Sequence, residues 1–267
     1  IELTWEDFAA ISALTPLIAR IYPNGEADVN HFHAAGGMGT LTHSLLMAGL
    51  LNPDVDTIWG HGLEMCAREP WLKNDALDWR EAPTRSLDRN VLRSPDDPFS
   101  AQGGLNLLTG GLGRAIVKLS AVKPEYQTIT APARVFDSMH DVDAAFESGA
   151  LNRDVVVVLR FQGPRANGMP EMHKITPLLG VLQDRGHRVA LVTDGRMSGA
   201  SGKILAAIHV TPEALDDGPL ARIQDGDIIT IDGPRGVLDI QVAREALMSR
   251  APAAGHASAH QFGVGRE

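Results

Sequence analysis

Glycines, hydroxyls and charges fall together in the stretch Val192-Thr193-Asp194-Gly195-Arg196-Met197-Ser198-Gly199-Ala200-Ser201-Gly202-Lys203. Glycines lack a Cβ and so clear room for a ligand, while Arg196 and Lys203 offer it positive charge. A tight structural loop is the other reading of the same residues. A second stretch, Phe161-Gln162-Gly163-Pro164-Arg165-Ala166-Asn167-Gly168-Met169-Pro170-Glu171-Met172-His173-Lys174, carries a carboxylate among glycines, prolines and cations. Glu171 is a hard oxygen donor of the kind Mg2+ takes only one or two of from a protein. Read structurally, Glu171 is a helix-start carboxylate favoured by the dipole and Arg165 a solvated cation.

Other chemistries fail on spacing. Gly202-Lys203 is preceded by Met197 and followed by Ile204 where a phosphate-binding loop needs a glycine and a hydroxyl. Gly111-Leu112-Gly113 lacks the third small residue of a dinucleotide fingerprint, since position 116 is Ile. Asp194, Ser198 and His209 are the residue types of a hydrolase triad, but Ser198 is not in a Gly-x-Ser-x-Gly turn. His31 and His33 would share a face in a strand and have no evident third ligand, so a structural loop is expected there.

Composition narrows the field further. The 267 residues carry 24 Lys and Arg against 33 Asp and Glu, a formal net charge of -9. That argues against a nucleic-acid partner, which needs a basic face for counterion release. No apolar run reaches the length of a membrane span. The single cysteine, Cys66, can make no internal disulfide and no zinc site, and a reducing, cytoplasmic compartment is expected.

The elements that must position the two stretches are legible from pattern. Val155 to Leu159 is continuously apolar, as is Val189 to Val192, and a helical segment over residues 176–185 stops at Gly186 between them. This βαβ unit predicts a parallel pair, with the glycine-rich stretches leaving both strands side by side at their carboxyl ends, where ligand crevices form. Residues 228–231 and 237–242 flank Asp232-Gly233-Pro234-Arg235-Gly236 and predict a hairpin. Upstream, Thr4 and Asp7 resemble a capping box opening a helix over residues 4–21, which stops before Pro23-Asn24-Gly25. Leu41, Leu45, Leu46 and Leu50 predict a second helix with Gly49 near its cap. The polar, proline-punctuated stretch between Glu69 and Ser100 predicts a domain boundary, giving domains at 1–100 and 101–267. The tail from Ala251 is small and polar and is expected to be mobile.

GPRANGMPEMHK (163–174), VTDGRMSGASGK (192–203), AAIHVTPEA (206–214) and NHFHAAGG (30–37) resemble the dihydroxy-acid and 6-phosphogluconate dehydratase family, and its phosphogluconate branch more closely. GGLNLLTGGLGRAIVK (103–118) and ALNRD (150–154) extend the likeness over nearly the whole chain. The resemblance implies an α/β protein, with a swivelling, barrel-like β/β/α C-terminal domain preceded by a helical remnant of the N-terminal domain. It implies dehydration of 6-phospho-D-gluconate to 2-keto-3-deoxy-6-phosphogluconate in the Entner-Doudoroff pathway, with an iron-sulfur cluster, Mg2+ and a homodimer. In this family a cluster iron draws off the C3 hydroxyl, Mg2+ holds the carboxylate end and a serine alkoxide takes the C2 proton. By motif position that serine is Ser198 and the Mg2+ ligand is Glu171.

Family members hold the cluster through several N-terminal cysteines, so this chain reads as the C-terminal portion of such an enzyme and is expected to be inactive alone. Ala200 stands where a hydroxyl is often found after the family's serine, with Ser201 next. Charge and proximity make Arg165, His173 and Lys203 candidates for the substrate phosphate, with Asn167, Arg196 and Ser201 as further substrate contacts. A non-catalytic sugar-phosphate binding module and a sister dehydratase of another sugar acid or dihydroxy acid are the alternatives.

Overall fold

The Thr4 hydroxyl accepts the Asp7 amide and the Asp7 carboxylate accepts the Thr4 amide, so the capping box opens α1 (Trp5–Leu14). The helix ends well short of residue 21. Pro16 disfavours helical backbone in the residue before it, and Thr15 is extended at φ -93 and ψ 114. Leu17 and Ala19 then bridge to Ser100 and Leu92 as extended chain. These are features of a computed structural model, which describes residues 2–172, 174–197 and 202–255. The chain divides into two compact units between Gly104 and Leu105.

In the first unit, Asp28 caps α2 (Val29–Ala34) by accepting the Asn30 and His31 amides. The His31 ring bonds back to Asp28 at 2.8 Å, so the His-x-His pair lies on a short helix and not in the expected loop. The helix α3 (Gly37–Met47) follows, with Gly49 in the left-handed region just past its end. Two short strands, β1 (Asp56–Thr57) and β2 (Gly60–His61), pair with each other. A longer hairpin that hydrophobic periodicity did not reveal joins β3 (Arg68–Lys73) to β4 (Ala76–Glu81). Its turn residues Asn74 and Asp75 both take positive φ, the conformation of a tight two-residue hairpin. A small core of Ala35, Val91 and Leu92 underlies the unit.

The second unit is a closed sheet of eight strands around a packed interior. Its strands are β5 (Leu105–Gly110), β6 (Gly113–Lys118), β7 (Thr128–Phe136), β8 (Val155–Leu159), β9 (Val189–Thr193), β10 (Leu205–Thr211), β11 (Ile228–Asp232) and β12 (Val237–Ile240). They close in the order β10-β6-β5-β12-β11-β7-β8-β9. The glycines of the rejected dinucleotide fingerprint make the β5–β6 hairpin, with Gly110 paired to Gly113. β11 and β12 form the predicted hairpin, Ile229 opposite Ile240.

β7, β8, β9 and β10 run parallel, with Val155 beside Val189 and Val158 beside Val192. Alternate residues of β8 explain its unbroken apolar run, because a strand's side chains point to opposite faces in turn. Val156 and Val158 pack with Leu108, Ile129, Ile229 and Leu238 inside the closed sheet. Val155, Val157 and Leu159 pack with Val142 of α4 (Met139–Glu147) and with Leu179 and Leu182 of α6 (Ile175–Asp184). The short α5 (Pro164–Asn167) precedes α6, and α7 (Arg244–Ser249) closes the described part. Of the tail expected to be mobile, residues 256–267 lie outside the described residues. No helix among the described residues is long and apolar enough to cross a membrane.

Candidate active site

The carboxyl ends of β8 and β9 bring the two glycine-rich stretches together. Glu171 and Arg196 bridge as parallel backbone neighbours, and Arg196 Nη1 donates to Glu171 Oε2 at 2.7 Å. Arg196 Nε also donates to the Met169 carbonyl at 3.0 Å, so one guanidinium ties its own loop to the other. Backbone in the left-handed region concentrates here, at Phe161 (φ 61), Met169 (φ 56) and His209 (φ 57). For side-chain-bearing residues such dihedrals cost energy and persist only where surrounding contacts fix them.

Asp194 supplies much of that fixing. It is buried at 1 % exposure and accepts three amides, from Phe161 at 3.2 Å, Gln162 at 2.8 Å and Ala214 at 2.9 Å. Burial pushes its carboxyl above the ordinary carboxylate range, the three amides pull it back down, and neighbouring Glu213 adds to the rise. Thr193 Oγ1 accepts the Gly195 amide at 3.0 Å. A side chain at Gly195 would press on Gln162 and Met172, which explains the glycine.

Two further side chains border the site from other strands. Lys118, the last residue of β6, donates from Nζ to the Met197 carbonyl at 3.2 Å. Burial lowers its pKa, and the Glu171 carboxylate acts in the opposite direction. His209 of β10 donates its amide to the Gly195 carbonyl at 2.9 Å. Its imidazole is held below the usual histidine range by burial, then by the Lys118 and Arg196 charges, and so is neutral at pH 7.

Of the residues singled out by sequence, Glu171 and Arg196 are in direct contact. Arg165 is turned to an ion pair with Asp216, and its backbone amide donates to Glu213 Oε1 at 3.2 Å. Asn167 Nδ2 donates to Gln162 Oε1 at 3.1 Å. Lys203 is exposed. Ser198, His173 and Ser201 lie outside the described residues. Lys118 was not found from sequence, its one signal being a lysine that ends an apolar strand. Asp194 and His209 were weighed only as members of a triad, a role their partners here do not suggest.

The donor set fits metals unequally. Among the described residues no group of three His, Cys, Asp or Glu side chains could hold a metal ion. Glu171 alone suits the single carboxylate that Mg2+ commonly takes from a protein. Cys66 is one thiol, and an iron-sulfur cluster needs several, so the residues of this chain do not fit a cluster.

Loops at the carboxyl ends of parallel strands, joined by a carboxylate–guanidinium pair and bordered by a half-buried lysine, define an α/β protein with a polar, charged site at its strand ends. Residues 90–265 match the family described as Dihydroxy-acid/6-phosphogluconate dehydratase C-terminal, and residues 1–66 match its N-terminal counterpart. The chain belongs to this dehydratase family. It is 60 % identical over 242 residues to a phosphogluconate dehydratase of Pseudomonas aeruginosa, covering 91 % of this chain and 40 % of that protein. To the phosphogluconate dehydratase of Escherichia coli K12 it is 56 % identical over 267 residues, 100 % of this chain and 44 % of that protein. A dihydroxy-acid dehydratase of Nitratidesulfovibrio vulgaris is 38 % identical over 254 residues, 94 % of this chain and 43 % of the relative. The chain thus spans less than half the length of these relatives.

Proposed function

We propose that this chain supplies the base-bearing loops of a hydro-lyase that dehydrates 6-phospho-D-gluconate to 2-keto-3-deoxy-6-phosphogluconate, as in the Entner-Doudoroff pathway. The observation that carries the reading is the identity of 56 % over the full 267 residues to a phosphogluconate dehydratase, against 38 % to a dihydroxy-acid dehydratase. Glu171 is assigned as the chain's one Mg2+ ligand. When bound, that ion stabilises the charge that develops beside the substrate carboxylate. The cluster belongs to residues outside this chain.

Ser198 is assigned the C2 proton. A serine hydroxyl is a poor base unless positive charge lowers its pKa. Arg196 precedes it by two residues, and Lys118 holds the Met197 carbonyl immediately before it, so two cations attend the backbone leading into Ser198. Arg196 also orients Glu171, donating from Nη1 to its Oε2 at 2.7 Å. Arg165, Asn167, His173, Ser201 and Lys203 complete the substrate contacts of these loops.

In this reading residues 1–100 belong to the N-terminal dehydratase domain and 101–267 form the swivelling β/β/α domain. The enzyme acts in the cytoplasm as a homodimer. The test is solvent exchange of the C2 proton of 6-phosphogluconate by the whole enzyme in deuterium oxide. Ser198→Ala is expected to lose exchange by about 100-fold or more, the scale of a lost acid–base group. Undiminished exchange removes Ser198 as the base, while turnover of gluconate or a branched dihydroxy acid in place of the phosphorylated substrate moves the protein to a sister branch.

A further inference from the structure

The first unit contains a polar cavity of about 340 Å³, walled by one side of α3 and by the segment that follows β4. Its size is that of a small-molecule site, yet its lining is hydroxyls and charges. In a chain with a net charge of -9, three arginines, Arg85, Arg89 and Arg93, converge on it. The walls are fixed by hydrogen bonds. Thr40 Oγ1 donates to the Pro83 carbonyl at 2.6 Å, the Leu87 amide to Ala35 at 2.9 Å and the Arg93 amide to Ile18 at 2.7 Å.

Two of the guanidinium groups are oriented in advance. Arg93 lies over the Phe99 ring, 4.3 Å from its centroid, and its Nε donates to the Arg89 carbonyl at 3.2 Å. Arg89 pairs with Asp97 at 2.5 Å. Arg85 is exposed and has no ion-pair partner among the described residues. A planar guanidinium with open donors matches a phosphate or carboxylate group.

The rest of the lining says what the anion carries. Ser44 donates its hydroxyl to the Thr40 carbonyl at 2.8 Å, as Thr40 does to Pro83, so with their hydrogens committed both hydroxyls can offer a ligand only acceptor lone pairs. Asp96 is a further acceptor on the same wall, and it would repel a bare anion. A ligand with an anionic end for the arginines and hydroxyl groups for Asp96, Thr40 and Ser44 satisfies both sets.

We infer that this cavity binds a phosphorylated polyol, with Arg85 as the principal phosphate contact. All of its lining residues belong to the first unit, and only the last arm of its test rests on the proposed dehydration. Binding of 6-phosphogluconate, gluconate and inorganic phosphate is measured by calorimetry on the 267-residue chain. 6-Phosphogluconate is expected to bind at least tenfold more tightly than either gluconate or inorganic phosphate. Arg85→Ala is expected to weaken it at least tenfold with an unchanged melting temperature. Arg153→Ala, which removes an exposed arginine of the second unit, leaves affinity within twofold.

An Arg85→Ala chain that binds within twofold of the original overturns the site, as does gluconate binding as tightly as its phosphate ester. Equal affinity for inorganic phosphate overturns the polyol half of the inference. In the whole enzyme, a raised KM with unchanged kcat in Arg85→Ala identifies the ligand as the substrate's own phosphate end. Unchanged KM with lost binding identifies a separate phosphorylated ligand, and either result supports the site. Absence of turnover in the unmodified enzyme would count against the dehydration and leave the binding result standing.

Discussion

His209 combines a left-handed backbone, a half-buried imidazole and two cationic neighbours, and its effect on stability follows from proton linkage. Its folded-state pKa lies below the ordinary value of 6.5, so the unfolded chain binds the proton more readily. Stability is therefore full above about pH 6.5 and falls as the pH drops from there toward the folded pKa, below which the loss levels off. Urea midpoints of the original chain are expected to fall more between pH 7.5 and 5 than those of His209→Asn, asparagine being a residue that tolerates positive φ. Parallel midpoints would show that the imidazole titrates as in the unfolded chain. At this scale the glycine-rich stretches were legible because Glu171 and Arg196 sit in strongly patterned loops. Lys118 was not, since nothing in sequence tells that the end of β6 lies against Met197, 79 residues on.

At the scale of elements, two glycines show how position decides the same substitution. A Cβ on Gly110 would overlap the backbone carbonyl of Leu238, where β5 meets β12, and backbone cannot step aside as a side chain can. Gly110→Ala is expected to cost about 1–3 kcal/mol in urea denaturation, the range of a forced overpacking. Gly180 lies inside α6 with nothing within 4 Å of its missing Cβ. Gly180→Ala is expected to stabilise by about 0.4–1 kcal/mol through helix propensity and a less free unfolded chain. A destabilised Gly180→Ala or a neutral Gly110→Ala would contradict the packing described for these strands and this helix. The βαβ unit of β8, α6 and β9 could be read from its apolar runs because buried parallel strands carry no polar face. The β3–β4 hairpin could not, because most of its residues are exposed and alternation fades where neither face is buried. Pro16 was the sequence signal that α1 ends early, and it outweighs the periodicity that continues past it.

For the molecule as a whole, the α/β class was legible in the sequence, whereas the first unit, read as a helical remnant, also carries the β1–β2 and β3–β4 hairpins. The closed sheet was expected only through the family resemblance and not from periodicity, because it depends on pairings remote in sequence such as Thr211 with Arg114 and Val237 with Thr109. A single thiol sets a limit on the whole chain: after anaerobic reconstitution the purified 267 residues are expected to retain no stoichiometric iron and sulfide. One cluster per chain would overturn the placement of its ligands elsewhere. Asp194 carries a different kind of consequence for the second unit. Its one carboxylate holds the exits of three consecutive parallel strands, through Phe161 and Gln162 after β8, its own position after β9, and Ala214 after β10. The three strand exits thereby share a common pivot, so a change at this one carboxylate reaches the backbone after β8, β9 and β10 at once.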